Sequence, residues 1–292
     1  MTALAVAQKC AKRLQIASPS AFVASTDNNI ILLLQMLEEA AQKIRNEFEW
    51  PELQKEHTFT LSTSTANYAL PTDMNRLLFE TSWNRTQALQ LIGPVDPVEW
   101  QEYKSGNITS LPRQRFRVKG WVTNQFYVDP TPTSTENGQT CALEYITESV
   151  IRPKTWVAST SWSGMQYCSY NGNIYDRGGT GAGSTGTTAP THTSGAVSDG
   201  SISWTFLGTP FETFNHDNDE LILNEDLVID QAIWRFKQER GLDFEDFRAQ
   251  AEENKELAKT FLQSAEVISV RTASTSPSIF DGRSYPQGSY GL

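Results

Sequence analysis

The sequence predicts an α+β fold. Apolar residues recur at helical spacing near both ends of the chain and alternate at strand spacing between residues 57 and 147. From Pro153 to Gly208 the composition changes to Gly, Ser, Thr and aromatics, with Lys154, Asp176, Arg177 and Asp199 as the charged side chains. The expected architecture is a helical bundle with an antiparallel β meander, an inserted all-β module and an extended C-terminal arm. The expected boundaries are 1–152 with 209–264 for the core, 153–208 for the module and 265–292 for the arm.

The first helix is expected over residues 2–16, with Leu4, Val6, Cys10 and Leu14 as its stripe and Pro19 after its end. A second starts at Thr26 or Asp27, side chains that cap free backbone N–H groups. Its buried face is Ile30, Leu33, Leu34, Leu37, Ala41, Ile44 and Phe48, and Pro51 marks its stop. Strands follow at His57–Ser62, Met74–Trp83, Gln87–Ile92, Arg113–Trp121, Gln125–Val128 and Thr140–Thr147, with a turn and short helix around Pro94, Pro97 and Trp100. Short strands joined by Gly-rich loops make the module, immunoglobulin-like or similar. Asn224 caps a helix over Glu225–Arg240, Gly241 stops it, and Asp243 caps a last helix running to about Ser264. That last helix has Phe244, Phe247, Ala251, Ala258, Phe261 and Leu262 as its apolar residues. Beyond it, apolar side chains are scattered among Ser, Thr, Pro and Gly without a period, as in an arm that orders on a partner.

A net charge of −10, a pI near 4.9 and a mean hydropathy of −0.43 describe an acidic chain. Such a chain is poorly suited to gripping phosphates, since affinity for DNA comes mainly from Lys and Arg. Acidity suits a surface past which DNA slides, and ordinary solubility accounts for it equally well. The three cysteines, Cys10, Cys141 and Cys168, are too few and too dispersed for a disulfide framework or a zinc site, which fits assembly in a reducing cytoplasm. No secretory signal is expected, and Ile30–Leu34, the longest strongly apolar run, is too short to span a bilayer.

Motifs for chemistry are weak. Gly181–Gly186 matches G-x-G-x-x-G, but no helical period follows it, so a loop is expected. Asp217-Asn218-Asp219 opens like a calcium loop, yet Ile222 stands where its Gly belongs and Val228 where its Glu belongs. His57, His192 and His216 lack partner spacing, and neither a catalytic Cys context nor G-x-S-x-G is present. No cofactor and no metal are expected. Arg113, Arg115, Arg117 and Lys119 fall on alternate positions of one expected strand and so on one face. That face is either simply solvated or a contact for an acidic partner or a neighbouring subunit, with DNA contact third given the overall acidity.

Several segments, in their order, resemble the head-to-tail adaptor family of short-tailed bacteriophages, called tail tubular protein A in one branch. They are Phe48-Glu49-Trp50-Pro51-Glu52-Leu53, then Tyr68-Ala69-Leu70-Pro71-Thr72-Asp73, then the Leu227–Phe236 helix with Gly241-Leu242-Asp243. Gly186–Gly195, Ser198-Asp199-Gly200 and Trp204–Gly208 resemble a small β module common in phage virion proteins. The resemblance implies a non-enzymatic structural protein: a dodecameric ring on the portal protein that extends the DNA channel toward the tail nozzle protein. Genomic DNA passes through without specific binding, and tail fibres or spikes attach at the flank. The location implied is the head–tail junction of the virion, after assembly in the host cytoplasm and without a membrane. The arm would bind the portal through Ile268, Val270, Ile279, Phe280 and Tyr285. The module's role stays open between decoration, fibre contact and weak glycan binding through Trp156, Trp162, Tyr170 and Trp204. The rival class is a virion-associated peptidoglycan hydrolase using paired carboxylates, for which Glu38, Glu39, Glu252 and Glu253 are available.

Overall fold

A computed structural model describes residues 1–106, 113–120 and 125–262. The chain divides into two compact units, Met1–Leu53 with the described part of Glu148–Glu266, and Gln54–Thr147.

The first unit opens with α1 (Ala3–Leu14) and α2 (Asn28–Glu47). Thr2 caps α1 by accepting from the Ala5 amide, and Asp27 caps α2 by accepting from the Asn29 amide at 2.7 Å. The buried face of α1 is Ala3, Val6, Ala7, Cys10 and Ala11, which displaces the expected Leu4 and Leu14 toward its margins. Small residues there let the backbone come close to its neighbours. α2 buries Ile30, Leu33, Met36, Leu37, Ala40, Ala41 and Ile44, one face at helical spacing. Its last turn leaves carbonyls unpaired, and the buried Trp50 indole N–H donates to one of them, Ile44 O, at 2.7 Å. Phe48 meets the Trp50 ring edge-on at 5.1 Å. The Phe-Glu-Trp-Pro segment is therefore a helix stop, closed by the 3₁₀ turn Pro51–Leu53.

The second unit contains β1 (Gln54–Thr60), β2 (Asn67–Ala69), β3 (Met74–Leu77), β4 (Trp83–Asn84), β5 (Leu89–Gln90), α3 (Pro97–Ser105), β6 (Arg115–Lys119), β7 (Gln125–Asp129) and β8 (Thr140–Thr147). Among the described residues these strands pair antiparallel, with an isolated parallel bridge between Ile92 and Arg115, but the order is not the consecutive one of a meander. β8 is central, with β1 on one side and β3 and β4 on the other, while β2, β7 and β6 form a separate sheet. β1 and β8 pair from Gln54↔Ile146 to Thr60↔Thr140. Leu61, Leu70, Met74, Leu91, Phe116, Phe126, Val128, Cys141, Leu143 and Tyr145 make the core. At its edge the Tyr68–Asp73 turn delivers the Asp73 carboxylate to Lys55 Nζ and Thr147 Oγ1, both at 2.8 Å, and to the Tyr145 hydroxyl at 3.0 Å. One carboxylate thus fastens β1, β8 and the start of β3. The expected strand Met74–Trp83 is broken, because Glu80 adopts a left-handed conformation, φ 59°.

The first unit resumes with β9 (Ile151–Arg152), β10 (Tyr167–Tyr170), β11 (Asn173–Asp176), β12 (Ala196–Asp199), β13 (Ile202–Leu207), β14 (Glu220–Leu221), α4 (Glu225–Glu239) and α5 (Glu245–Leu262). The module sheet runs β10-β11-β13-β12 over its own core of Trp162, Met165, Cys168, Tyr175, Ile202 and Trp204. Buried Asp199 organises it, accepting from Trp156 Nε1 at 2.7 Å, Trp204 Nε1 at 3.1 Å and the Gly186 amide at 2.6 Å. A Cβ on Gly186 would stand 2.6 Å from the Asp199 carboxylate, so the Gly-rich stretch is a loop packed against the β12–β13 turn. Asp217 accepts from the Phe22 and Val23 amides, while Asp217 O and Asp219 O receive the first amides of α1. The Asp-Asn-Asp triplet is thus a structural turn. α4 is buried all round, from Leu227 to Phe236, with α1, α2 and α5 packed on it. Asn224 caps it as expected, and Gly241, φ 64°, ends it while the Leu242 amide donates to Lys237 O at 2.9 Å.

Two outcomes follow. Asp199→Ala leaves two indole N–H groups and a backbone amide without their acceptor. The expected cost is about 3 kcal/mol, read as a lower melting temperature in tryptophan fluorescence; an unchanged melt would show that the carboxylate does not hold the module. Burial raises the Asp73 carboxyl, but Lys55 and the Lys55, Thr147 and Tyr145 hydrogen bonds outweigh it and hold its pKa below the usual range. A depressed carboxylate contributes stability above its unfolded value of about 3.9 and loses it as pH falls through the folded value. Asp73→Asn is therefore expected to cost about 2 kcal/mol at pH 7 and progressively less toward pH 2, in denaturant melts of both proteins across that range.

Candidate partner-binding surfaces

The residues expected to meet the portal, Ile268, Val270, Ile279, Phe280 and Tyr285, lie outside the described residues. The basic strand is described, and three of the four cations, Arg115, Arg117 and Lys119, stand at alternate positions on it. β6 begins at Arg115. Arg113 precedes it and donates to Gln90 O at 3.0 Å and to Gln90 Oε1 at 3.3 Å. Arg115 is buried, its guanidinium 3.4 Å from the centre of the Tyr103 ring and 3.7 Å from Asp129, a carboxylate that Lys104 also contacts at 2.5 Å. α3 thus draws the start of β6 inward. Half-buried Arg117 and exposed Lys119 remain nearer the surface, with the Lys119 ammonium 4.0 Å from the centre of the Tyr127 ring.

The four module aromatics do not form a platform. Trp162 and Trp204 are fully buried and meet edge-to-face at 5.8 Å, so neither offers a ring face to a glycan or a fibre. Trp156 and Tyr170 are half-buried and packed edge-on at 5.8 Å, with the Trp156 indole already committed to Asp199. The charge-poor composition of the segment reflects a tryptophan-containing core.

The carboxylates considered for hydrolysis have structural surroundings. Glu38 accepts from the Phe214 amide at 2.8 Å, and burial raises its pKa. Glu252 contacts Lys255 at 2.5 Å and accepts from Gln231 at 3.2 Å. Cys10, Cys141 and Cys168 are buried thiols whose pKa burial pushes up, for the first two to about 12, which is the opposite of a thiolate nucleophile. Among the described residues no group of three or more His, Cys, Asp or Glu is arranged to hold a metal ion, and no helix is long and apolar enough to cross a membrane.

Two apolar surfaces were not foreseen. Phe79 is 78% exposed beside a groove in the second unit, and Phe261 is 85% exposed near the end of α5. A signal for the first was present: Leu77, Leu78 and Phe79 are consecutive, and neighbouring strand residues point to opposite faces. For the second, helical spacing identifies an apolar face but not which chain covers it.

A family model described as SU10 adaptor protein matches residues 1–176. That stretch takes in α1, α2, the whole of Gln54–Thr147 and the module as far as β11. No curated protein matches the chain. With more than half of its 292 residues matched, the chain belongs to the SU10 adaptor protein family, a family of structural adaptor proteins of bacteriophages.

Proposed function

We propose that the chain is a subunit of a homo-oligomeric ring, dodecameric by resemblance, that joins the portal protein to the tail nozzle protein and extends the channel through which DNA is ejected. The observation that carries this reading is the adaptor-family match over residues 1–176. Ring subunits must be held apart from their partners until assembly and then bind them side by side. An acidic chain of net charge −10 suits a channel lining that does not retain DNA. The segment after α5 supplies the portal contact. Ile268, Val270, Ile279 and Phe280 each gain about 1.5–3 kcal/mol when fully buried on a partner, and arms on one ring act multivalently. The basic residues Arg117 and Lys119 serve contacts between proteins.

Truncation after Ser264 is expected to leave the helical and β circular dichroism intact while lowering retention on portal rings at least about tenfold. Co-sedimentation of full-length and truncated protein with purified portal measures this. Equal retention of the two would remove the C-terminal segment as the portal anchor.

A further inference from the structure

β12 is one edge of the module sheet, and β10, which carries Tyr170, is the other. Asp199 and Ile202 pair across the two-residue turn Gly200-Ser201, and Val197 pairs with Trp204. In such a hairpin the pair flanking the turn exchanges both backbone hydrogen bonds, and the exchange recurs at every second pair. Asp199 and Val197 are therefore bonded to β13, while the N–H and C=O of Ser198 point away from it. Among the described residues neither of these two groups has a protein partner.

A cavity of about 140 Å³ lies along this edge, lined by residues 188–192 and 197–199. Its polar lining is uncommitted. The hydroxyls of Thr188, Thr191 and Ser198 have no protein partner among the described residues. His192 also lines it, and both ring nitrogens of His192 are buried without a hydrogen-bond partner there. A neutral imidazole carries one donor and one acceptor, and leaving both buried and unpaired is unfavourable. The ring is held in place: it packs on fully buried Tyr175 at 5.0 Å, and the Tyr175 hydroxyl donates to His192 O at 3.1 Å. Asp199 is the charged residue of the lining, and its carboxylate already receives two indoles and the Gly186 amide. Ala189, Pro190 and half-exposed Val197 supply an apolar wall.

We propose that this cavity binds one ring of a neutral saccharide, at a site distinct from the four module aromatics. The lining selects the class. Its uncommitted groups are hydroxyls, an imidazole and a peptide unit, which together donate and accept. A sugar ring presents hydroxyls that do the same from neighbouring carbons. The lining holds no cation and its carboxylate is engaged, so a charged ligand loses its water without gaining a partner for its charge. The apolar wall suits the C–H face of a sugar. The volume falls below the roughly 300–1,000 Å³ of drug-sized sites, so one ring enters and the rest of a glycan stays in solvent. A strand added to β12 would use the Ser198 peptide groups alone and leave His192 and the threonine hydroxyls unmatched. The proposal is independent of the portal-adaptor reading.

The experiment is saturation-transfer NMR of the full-length protein with glucose, galactose, mannose, rhamnose and N-acetylglucosamine, each at millimolar concentration. Transfer to at least one of them is expected, and none to glucuronic acid. Thr191→Val with Ser198→Ala removes two hydroxyls at exposed positions. It is expected to weaken the bound sugar at least about tenfold with an unchanged thermal melt. Thr188→Arg, at an exposed position of the lining, is expected to fill the cavity and abolish transfer, again with an unchanged melt. Silence from every neutral sugar would overturn the proposal. So would transfer that survives both variants, or equal transfer to glucuronic acid. Transfer to a blocked, extended pentapeptide in place of the sugars would make the β12 edge a strand-docking site instead.

Discussion

The first unit depends on satisfying one buried carboxylate. Asp230 sits in α4, the helix on which α1, α2 and α5 pack, and it is buried. A buried carboxylate without partners is strongly unfavourable. Here Arg13 of α1 contacts it at 2.5 Å and Asn254 of α5 donates to it at 2.7 Å. The charge therefore demands that α1 and α5 dock on α4 in one register. Neighbouring polar groups extend the demand: Trp234 Nε1 donates to Gln231 at 3.0 Å, Gln231 donates to Glu252, and Lys255 joins Glu252 to Glu47 of α2. Apolar burial supplies the attraction between these helices, and the polar network selects the arrangement in which Asp230, Glu252 and Lys255 are all paired.

The same division of labour recurs on a smaller scale. Asp73 in the second unit and Asp199 in the module are each a single carboxylate toward which several elements converge. Both stand at ends of strands, where pairing alone leaves direction and register loose. Acidic groups, buried at Asp199 and Asp230 and half-buried at Asp73, thus set geometry at three places in the chain.

Much of the fold was legible because capping chemistry is local. Asp27, Asn224 and Gly241 mark helix ends by side-chain acceptors or by a positive φ, and the structure places them there. Thr140–Thr147 was readable as a strand from end to end. Its central place was not, since pairing of β8 with β1 joins segments some eighty residues apart in sequence. The compact units also divide the chain differently from the expected boundaries: the strands of Gln54–Thr147 stand as their own unit, and the module shares a unit with the helices. Period reveals which face of an element is apolar, not which element lies against it. That same limit hid the candidate surfaces. Arg115 reads as a strand-face cation until α3 is seen to cover it, and Phe261 reads as core until its ring is seen to stand exposed among the described residues.

Adaptor function implies a place as well as a fold. The most direct measurement is electron cryo-microscopy of intact virions decorated with an antibody fragment raised against the module, residues 153–208. The account predicts a collar of label around the neck, between the capsid vertex and the tail, with the symmetry of a closed ring. Label on the capsid faces or at the distal tail tip, with none at the neck, would contradict it.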